Sequence, residues 1–372
     1  EELEKNGYMK VSNAISLYDN LLVGRKRGAR DVQATPTPVF PTEPDDIDDE
    51  NDLEEYAEYA SLLKFNPNLI LYGPPGTGKT YAIHKIIEKF EKDYYDKNSN
   101  YKLVETENRV RTITFHQSYS YEEFIEGIRP ILTDAGKGEL GYRLENGIFK
   151  DLCINAEKEL LKRGDTKYID KPYYMIIDEI NRGNIAKIFG ELITLIEQDK
   201  RGSLKTLLPY SKKEFTVPSN IYIIGTMNTA DRSIAAIDTA LRRRFTFVEL
   251  GPDSSVLSQY DNHMVNDNVD LAKLMDTLND KIMERLDRDH RIGHAYFMGI
   301  SSLNNLYQTW YYKILPLLGE YFYNDTESLI AVVGKSFYNN SGNIEYLPIA
   351  ANDNEISVFE QKLIDIYGGN NG

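Results

Sequence analysis

Cysteine is almost absent. One thiol, Cys153, in 372 residues excludes an internal disulfide framework and any cysteine-built metal site, and it fits a reducing cytoplasm. No apolar run approaches the roughly 20 residues that a membrane span requires, and the opening EELEKNGYMK lacks the basic-then-apolar layout of a signal peptide. The chain also starts without Met, so it is expected to be part of something longer. Positive charge is scarce as well: 43 Lys and Arg against 58 Asp and Glu leave −15 at pH 7. Ten of the acids lie in TEPDDIDDENDLEEYAE, residues 42–58, and the remainder sits near −5. Wholesale electrostatic capture of nucleic acid is therefore not expected, although composition says nothing of a local basic patch.

What is present divides the chain. Residues 1–33 hold one weak helical stretch (11–22) and a basic RKRGAR run; the brevity of this part marks it as the remnant of an upstream region. Residues 34–61 read as a linker, first proline-rich with Pro36, Pro38, Pro41 and Pro44, then acidic and solvated. From 62 to about 250 short apolar runs alternate with helical patterns: NLILY, VRTITF, YYMIID, IYIIGT and FTFVEL. Near-continuous apolar strands alternating with helices imply an α/β domain whose five-stranded parallel sheet is covered on both faces. Two segments, 129–149 and 204–218, look like inserted hairpins, and residues 185–196 carry a helical period between the third and fourth strands. Residues 251–372 read as a smaller, mainly helical domain, with helices expected over 265–288 and 303–324.

GPPGTGKT (Gly73, Pro74, Pro75, Gly76, Thr77, Gly78, Lys79, Thr80) fits the phosphate-loop pattern between a strand and a helix. Its glycines let backbone N–H groups wrap a β-phosphate at a helix N-terminus. Lys79 would neutralise β/γ oxygens and the Thr80 hydroxyl would ligate Mg²⁺. YYMIIDEINR supplies Asp178, which can hold that Mg²⁺ through water, and Glu179, the candidate base for an attacking water. MNTADRS follows an apolar strand that can lie between the other two, so that Asn228 reaches the γ-phosphate or the water. Asp231 and Arg232 either pair across a subunit boundary or form a local salt bridge. The arginines of IDTALRRRF read either as a solvated basic turn or, at Arg244, as a finger directed into a neighbour's nucleotide.

These motifs, together with TFHQSYSYEEFIEGIRP, RIGHAYF and ILPLLGEYFYND, resemble the AAA+ NTPases over residues 62–325. Within them they resemble the McrB group, the GTPase subunit of modified-cytosine-dependent restriction systems, in the MoxR and dynein-related neighbourhood. The resemblance implies an AAA+ core with a small helical lid, assembled as a hexameric ring, with Mg²⁺ and GTP (or ATP) at subunit interfaces. It implies that Asn181 lies near the catalytic water and that Arg243 and Arg244 form the finger region, Arg244 favoured. Asp231 and Arg232 would be the signature motif that relays the partner's influence, and Arg291 and His294 are the candidates for the second nucleotide sensor. It implies an McrC-type nuclease partner, and DNA reached through the assembly or an upstream domain outside this chain. Two other functions fit the core motifs: a MoxR-like ATPase remodelling a protein client, and a nucleotide-gated assembly module with little turnover.

Overall fold

The computed structural model describes residues 53–132, 140–161, 170–230, 239–260, 263–339, 344 and 353–368, all within one compact unit, Asp48–Gly372. The upstream remnant, most of the linker, and Asp231 and Arg232 lie outside the described residues. The last part of the segment read as linker is helical: Ala57–Phe65 begins before residue 62 and buries Ala60 and Leu63.

Five parallel strands form the central sheet: β1 (Asn68–Gly73), β2 (Val110–Thr114), β3 (Tyr173–Asp178), β4 (Ile221–Asn228) and β5 (Thr246–Glu249), in spatial order β2-β3-β4-β1-β5. All five coincide with the apolar runs of the sequence. β1 and β3 are buried almost end to end, as a sheet covered on both faces demands. One face packs Ile83, Ile86, Ile87 and Phe90 of the helix Lys79–Tyr94. The other packs Phe124, Phe149 and Phe189. Each such side chain contributes roughly 1.5–3 kcal/mol by leaving water.

Buried ion pairs fix the sheet's edges. Arg109 clamps Glu91 bidentately (Nη1–Oε1 2.6 Å, Nη2–Oε2 2.8 Å), and the Tyr174 and Ser99 hydroxyls donate to the same carboxylate at 2.8 Å. This staples the helix Lys79–Tyr94 to β3 and to the start of β2, and it satisfies the charges that burial would otherwise penalise. Cys153 is buried, and burial pushes its thiol up, out of the reactive range.

Both inserted hairpins form, as Glu126–Leu132 with Leu140–Asn146 and as Thr206–Leu207 with Glu214–Phe215. Buried Glu126 joins them: it pairs with Lys150 at 2.6 Å and accepts from the Tyr210 and Ser211 amides at 3.1 and 2.8 Å.

Several helices differ from expectation. The stretch 185–196 is two short helices, Ile185–Phe189 and Leu192–Leu195, broken at Gly190, whose φ of +51° no continuous helix allows. The helix expected from residue 265 starts at Leu271. Ahead of it lies a two-stranded turn, Met264–Val265 with Val269–Asp270, in which Asn266 and Asp267 both take positive φ, as such turns favour. The helix expected over 303–324 is Leu303–Thr309 and Leu315–Tyr321, joined by a π-helical turn, Trp310–Ile314. Pro316 cannot donate to the preceding turn, and the helix widens just before it. A further helix, Asp353–Tyr367, completes the lid by burying Phe359 and Leu363.

Candidate functional site

The motif residues Gly73, Asp178, Glu179 and Asn228 gather at the C-terminal ends of β1, β3 and β4. The parallel register places Gly73 opposite Asn228, and β4, which carries Asn228, lies between β1 and β3. After Gly73 the loop turns through Gly76 (φ +77°) and Gly78 (φ +72°), conformations that a side chain would strain. The helix then begins at Lys79. Thr77 Oγ1 donates to the Pro74 carbonyl at 3.1 Å and holds the loop's shape.

Lys79 is buried, and its ammonium is folded back onto the Pro74 carbonyl at 2.7 Å and the Gly73 carbonyl at 3.1 Å. Burial brings its pKa down to about 8, against the pull of Glu179 and Asp178 in the other direction. Thr80 is exposed at the second position of the helix.

Asp178 closes β3, and Glu179 follows in a left-handed conformation (φ 52°, ψ 46°) that a non-glycine residue adopts only when its surroundings impose it. Asn228 Nδ2 donates to Glu179 Oε1, while Arg182 Nε approaches Oε2 at 3.3 Å in a looser ion-pair contact. Asn181 Nδ2 donates to the Asn228 carbonyl at 3.3 Å. Among the described residues Glu179 Oε2, Asn181 Oδ1 and the Thr229 hydroxyl are buried without a hydrogen-bond partner. Buried oxygens in that condition mark a place where something polar belongs.

The arginine segment divides. Arg242 lies over the Phe247 ring, 5.9 Å from its centroid. Arg243 is 69% exposed, with only a 3.8 Å approach to Glu197. Arg244, favoured from its position in the sequence as the finger, is buried and holds Glu197 at 2.8 Å, and its carbonyl accepts from Asn68 Nδ2 at 3.0 Å. Within the chain the Arg244 guanidinium is thus desolvated into an ion pair, and Arg243 is the exposed member of the pair.

The two candidate sensors in the lid also separate. Arg291 Nη2 pairs with Glu249 at 3.0 Å, and Arg288 Nη1 takes the other oxygen at 3.1 Å, so both are engaged at the end of β5. His294 instead packs against the phosphate loop. Its Nδ1 accepts from the Asp253 amide at 3.3 Å, which leaves the proton of the neutral ring on Nε2. Nε2 lies 3.4 Å from where a Cβ on Gly78 would sit, and burial lowers the ring's pKa, favouring the neutral form. The same segment touches Gly76 directly: the Ala295 amide donates to the Gly76 carbonyl at 3.0 Å, and a Cβ on Gly293 would fall 2.1 Å from that carbonyl.

Sequence reasoning missed four contributors: Thr226, Thr229, Glu197 and Glu249. A signal existed for Thr226, a polar residue in the apolar run IYIIGT two positions before Asn228 and hence on the same strand face. The glutamates gave none, because their partners are distant in sequence.

A phosphate loop at the end of β1, an inner strand of a parallel β2-β3-β4-β1-β5 sheet, flanked by acidic and amide side chains and joined by a helical lid, is the architecture of an AAA+ protein. Residues 68–245 match the model of the AAA domain of the dynein-related subfamily, and residues 270–329 that of the McrB alpha-helical lid domain. The chain is 38% identical over 282 residues to the type IV methyl-directed restriction enzyme EcoKMcrB subunit of Escherichia coli K12, covering 71% of this chain and 55% of that protein. It is 28% identical over 286 residues to the type II restriction enzyme BsuMI component YdiS of Bacillus subtilis 168, covering 66% of this chain and 76% of that protein. The chain belongs to the McrB-type AAA+ proteins. It spans about half the length of the Escherichia coli relative.

Proposed function

We propose that the chain is a ring-forming nucleoside triphosphatase, using GTP in preference to ATP, that serves as the motor subunit of a McrBC-like restriction system. In this reading hydrolysis drives DNA translocation, and a separate McrC-type subunit cuts. The observation that carries the catalytic part is the convergence of Lys79, Asp178, Glu179 and Asn228 on one end of the sheet, beside three buried oxygens without a hydrogen-bond partner among the described residues. The restriction context is supported by two relatives whose names place them in restriction enzymes.

Thr80 and Asp178 offer one hydroxyl and one carboxylate, an oxygen-only set that suits Mg²⁺, whose remaining ligands are typically phosphate and water. The ion would supply charge neutralisation on the phosphate oxygens. Lys79, released from the loop carbonyls, moves onto the phosphates. Glu179 accepts the proton of the attacking water, and Asn228 and Asn181 orient it. His294 Nε2–H, not Arg291, is the lid's donor to the nucleotide, and Arg243, not Arg244, is the finger supplied to a neighbouring subunit. Asp231 and Arg232 keep the role of relaying the partner's influence.

The test is steady-state phosphate release with GTP and ATP in parallel, Lys79→Ala serving as the blank. Arg243→Ala is expected to lower hydrolysis by about 10³–10⁵ with folding intact. Arg244→Ala is expected to lower the melting temperature instead. A dilute monomer hydrolysing as fast as the assembled protein would exclude the trans-acting finger, and preference for ATP would move the reading toward a MoxR-like remodeller.

A further inference from the structure

Thr226 stands at the centre of the acidic pair without belonging to any motif. It is 2% exposed, deep in β4, in register with Leu71 of β1. Its hydroxyl donates to Asp178 Oδ1 and accepts the Glu179 amide at 3.1 Å. A hydroxyl carries one proton. With that proton committed to the carboxylate, the oxygen can serve the Glu179 amide only as acceptor, so the direction of both bonds is fixed.

The consequence lies in the backbone. Glu179 takes a left-handed φ of 52°, and its amide is held by Thr226 while its side chain is held by Asn228, two positions further along the same strand face. The peptide between Asp178 and Glu179 is held on both sides: the Phe115 amide donates to its carbonyl at 2.9 Å, and Thr226 accepts its N–H, which loses this partner without the hydroxyl. Asp178 would also lose the donor that fixes one of its two oxygens.

We infer that Thr226 is a positioning residue for hydrolysis, one hydroxyl that couples the orientation of the metal-facing carboxylate of Asp178 to the conformation of the base-bearing Glu179. The inference rests on the nucleoside triphosphatase reading above and deepens it. Partners that orient a metal-facing carboxylate in this way typically change affinity or activity by about 10–100-fold when removed.

The experiment compares Thr226→Val, which keeps the shape and removes the hydroxyl, with Thr226→Ser, which keeps the hydroxyl. Four quantities are read on the full chain: kcat, KM, melting temperature, and the Mg²⁺ concentration giving half-maximal binding of a fluorescent nucleotide without turnover. Thr226→Val is expected to lower kcat about 10–100-fold with KM within about threefold, and to raise the Mg²⁺ requirement. Thr226→Ser is expected to restore kcat and the Mg²⁺ requirement to within about threefold of the parent. A Thr226→Val protein with parental kcat and Mg²⁺ requirement overturns the inference. So does a pair of variants that fall equally, with kcat tracking melting temperature, because that pattern belongs to packing alone. A parent chain that releases no phosphate sinks the triphosphatase reading instead; the Mg²⁺ titration of nucleotide binding still separates Val from Ser in that case, and equal titrations overturn the inference there too.

Discussion

The α/β core and the lid both pack aromatic rings, but they differ in how much charge they bury. The core fixes its edges with buried charge: Arg109 with Glu91, Lys150 with Glu126, and Arg201 bound to Asn68 Oδ1 at 2.5 Å and to the Ile196 carbonyl at 2.9 Å. The lid is packed with rings, Trp310 on Phe337 and Tyr311 on Phe359, and it leaves Trp310 Nε1 and the Tyr321 hydroxyl buried without a hydrogen-bond partner among the described residues. Directional bonds sit where side chains must be aimed to fractions of an ångström. Aromatic packing, which tolerates small sliding, fills the lid. Among the described residues the short loop 288–296 joins the two, at Glu249 and at the phosphate loop.

The sharpest way to break this contrast is in the core. Arg109→Leu leaves the Glu91 charge buried with only two hydroxyl donors, and stability should fall by about 3–5 kcal/mol in urea unfolding. A loss under about 1 kcal/mol would show that the ionic staple is dispensable. At the junction, Gly293→Ala drives a methyl into the Gly76 backbone. Overpacking of about 1–3 kcal/mol that lifts the lid from the phosphate loop should weaken nucleotide binding about 5–150-fold with the fold retained. Unchanged affinity would mean that the lid does not support the loop.

The smallest effect is one of pH. Lys79 in the nucleotide-free protein titrates near 8, below its usual 10.5, because burial disfavours its charge. Phosphate favours the charged form and raises that value, so binding takes up a proton above pH 8. Affinity should be flat below about pH 8 and fall by up to about tenfold per unit above it, a slope that Lys79→Arg should abolish. The same sign governs folding: the depressed value penalises the native state most below pH 8, and the penalty disappears as pH rises toward 10.5.

Much of this was legible because it is local. Apolar runs gave all five strands, and the spacing of GPPGTGKT, DEINR and MNTADRS gave the residues that gather at the strand ends. What was not legible depended on distance. Whether Arg243 or Arg244 faces solvent is decided by Glu197, nearly fifty residues earlier in the chain. Arg291 is claimed by Glu249 across the domain junction, and that contact leaves the lid's approach to the phosphate loop to His294. The break at Gly190 and the turn at Asn266 and Asp267 were visible in principle, since glycine and Asn-Asp are the residues that accept positive φ. Helical periodicity masked them.

The bond from the Ala295 amide to the Gly76 carbonyl has a kinetic meaning. Exchange of that one amide proton with solvent reports how often the lid lifts. Each opening also frees a carbonyl in the loop that grips the phosphates. On the nucleoside triphosphatase reading proposed above, the same event would open an exit for spent nucleotide, so product release and lid motion are expected to share a single clock.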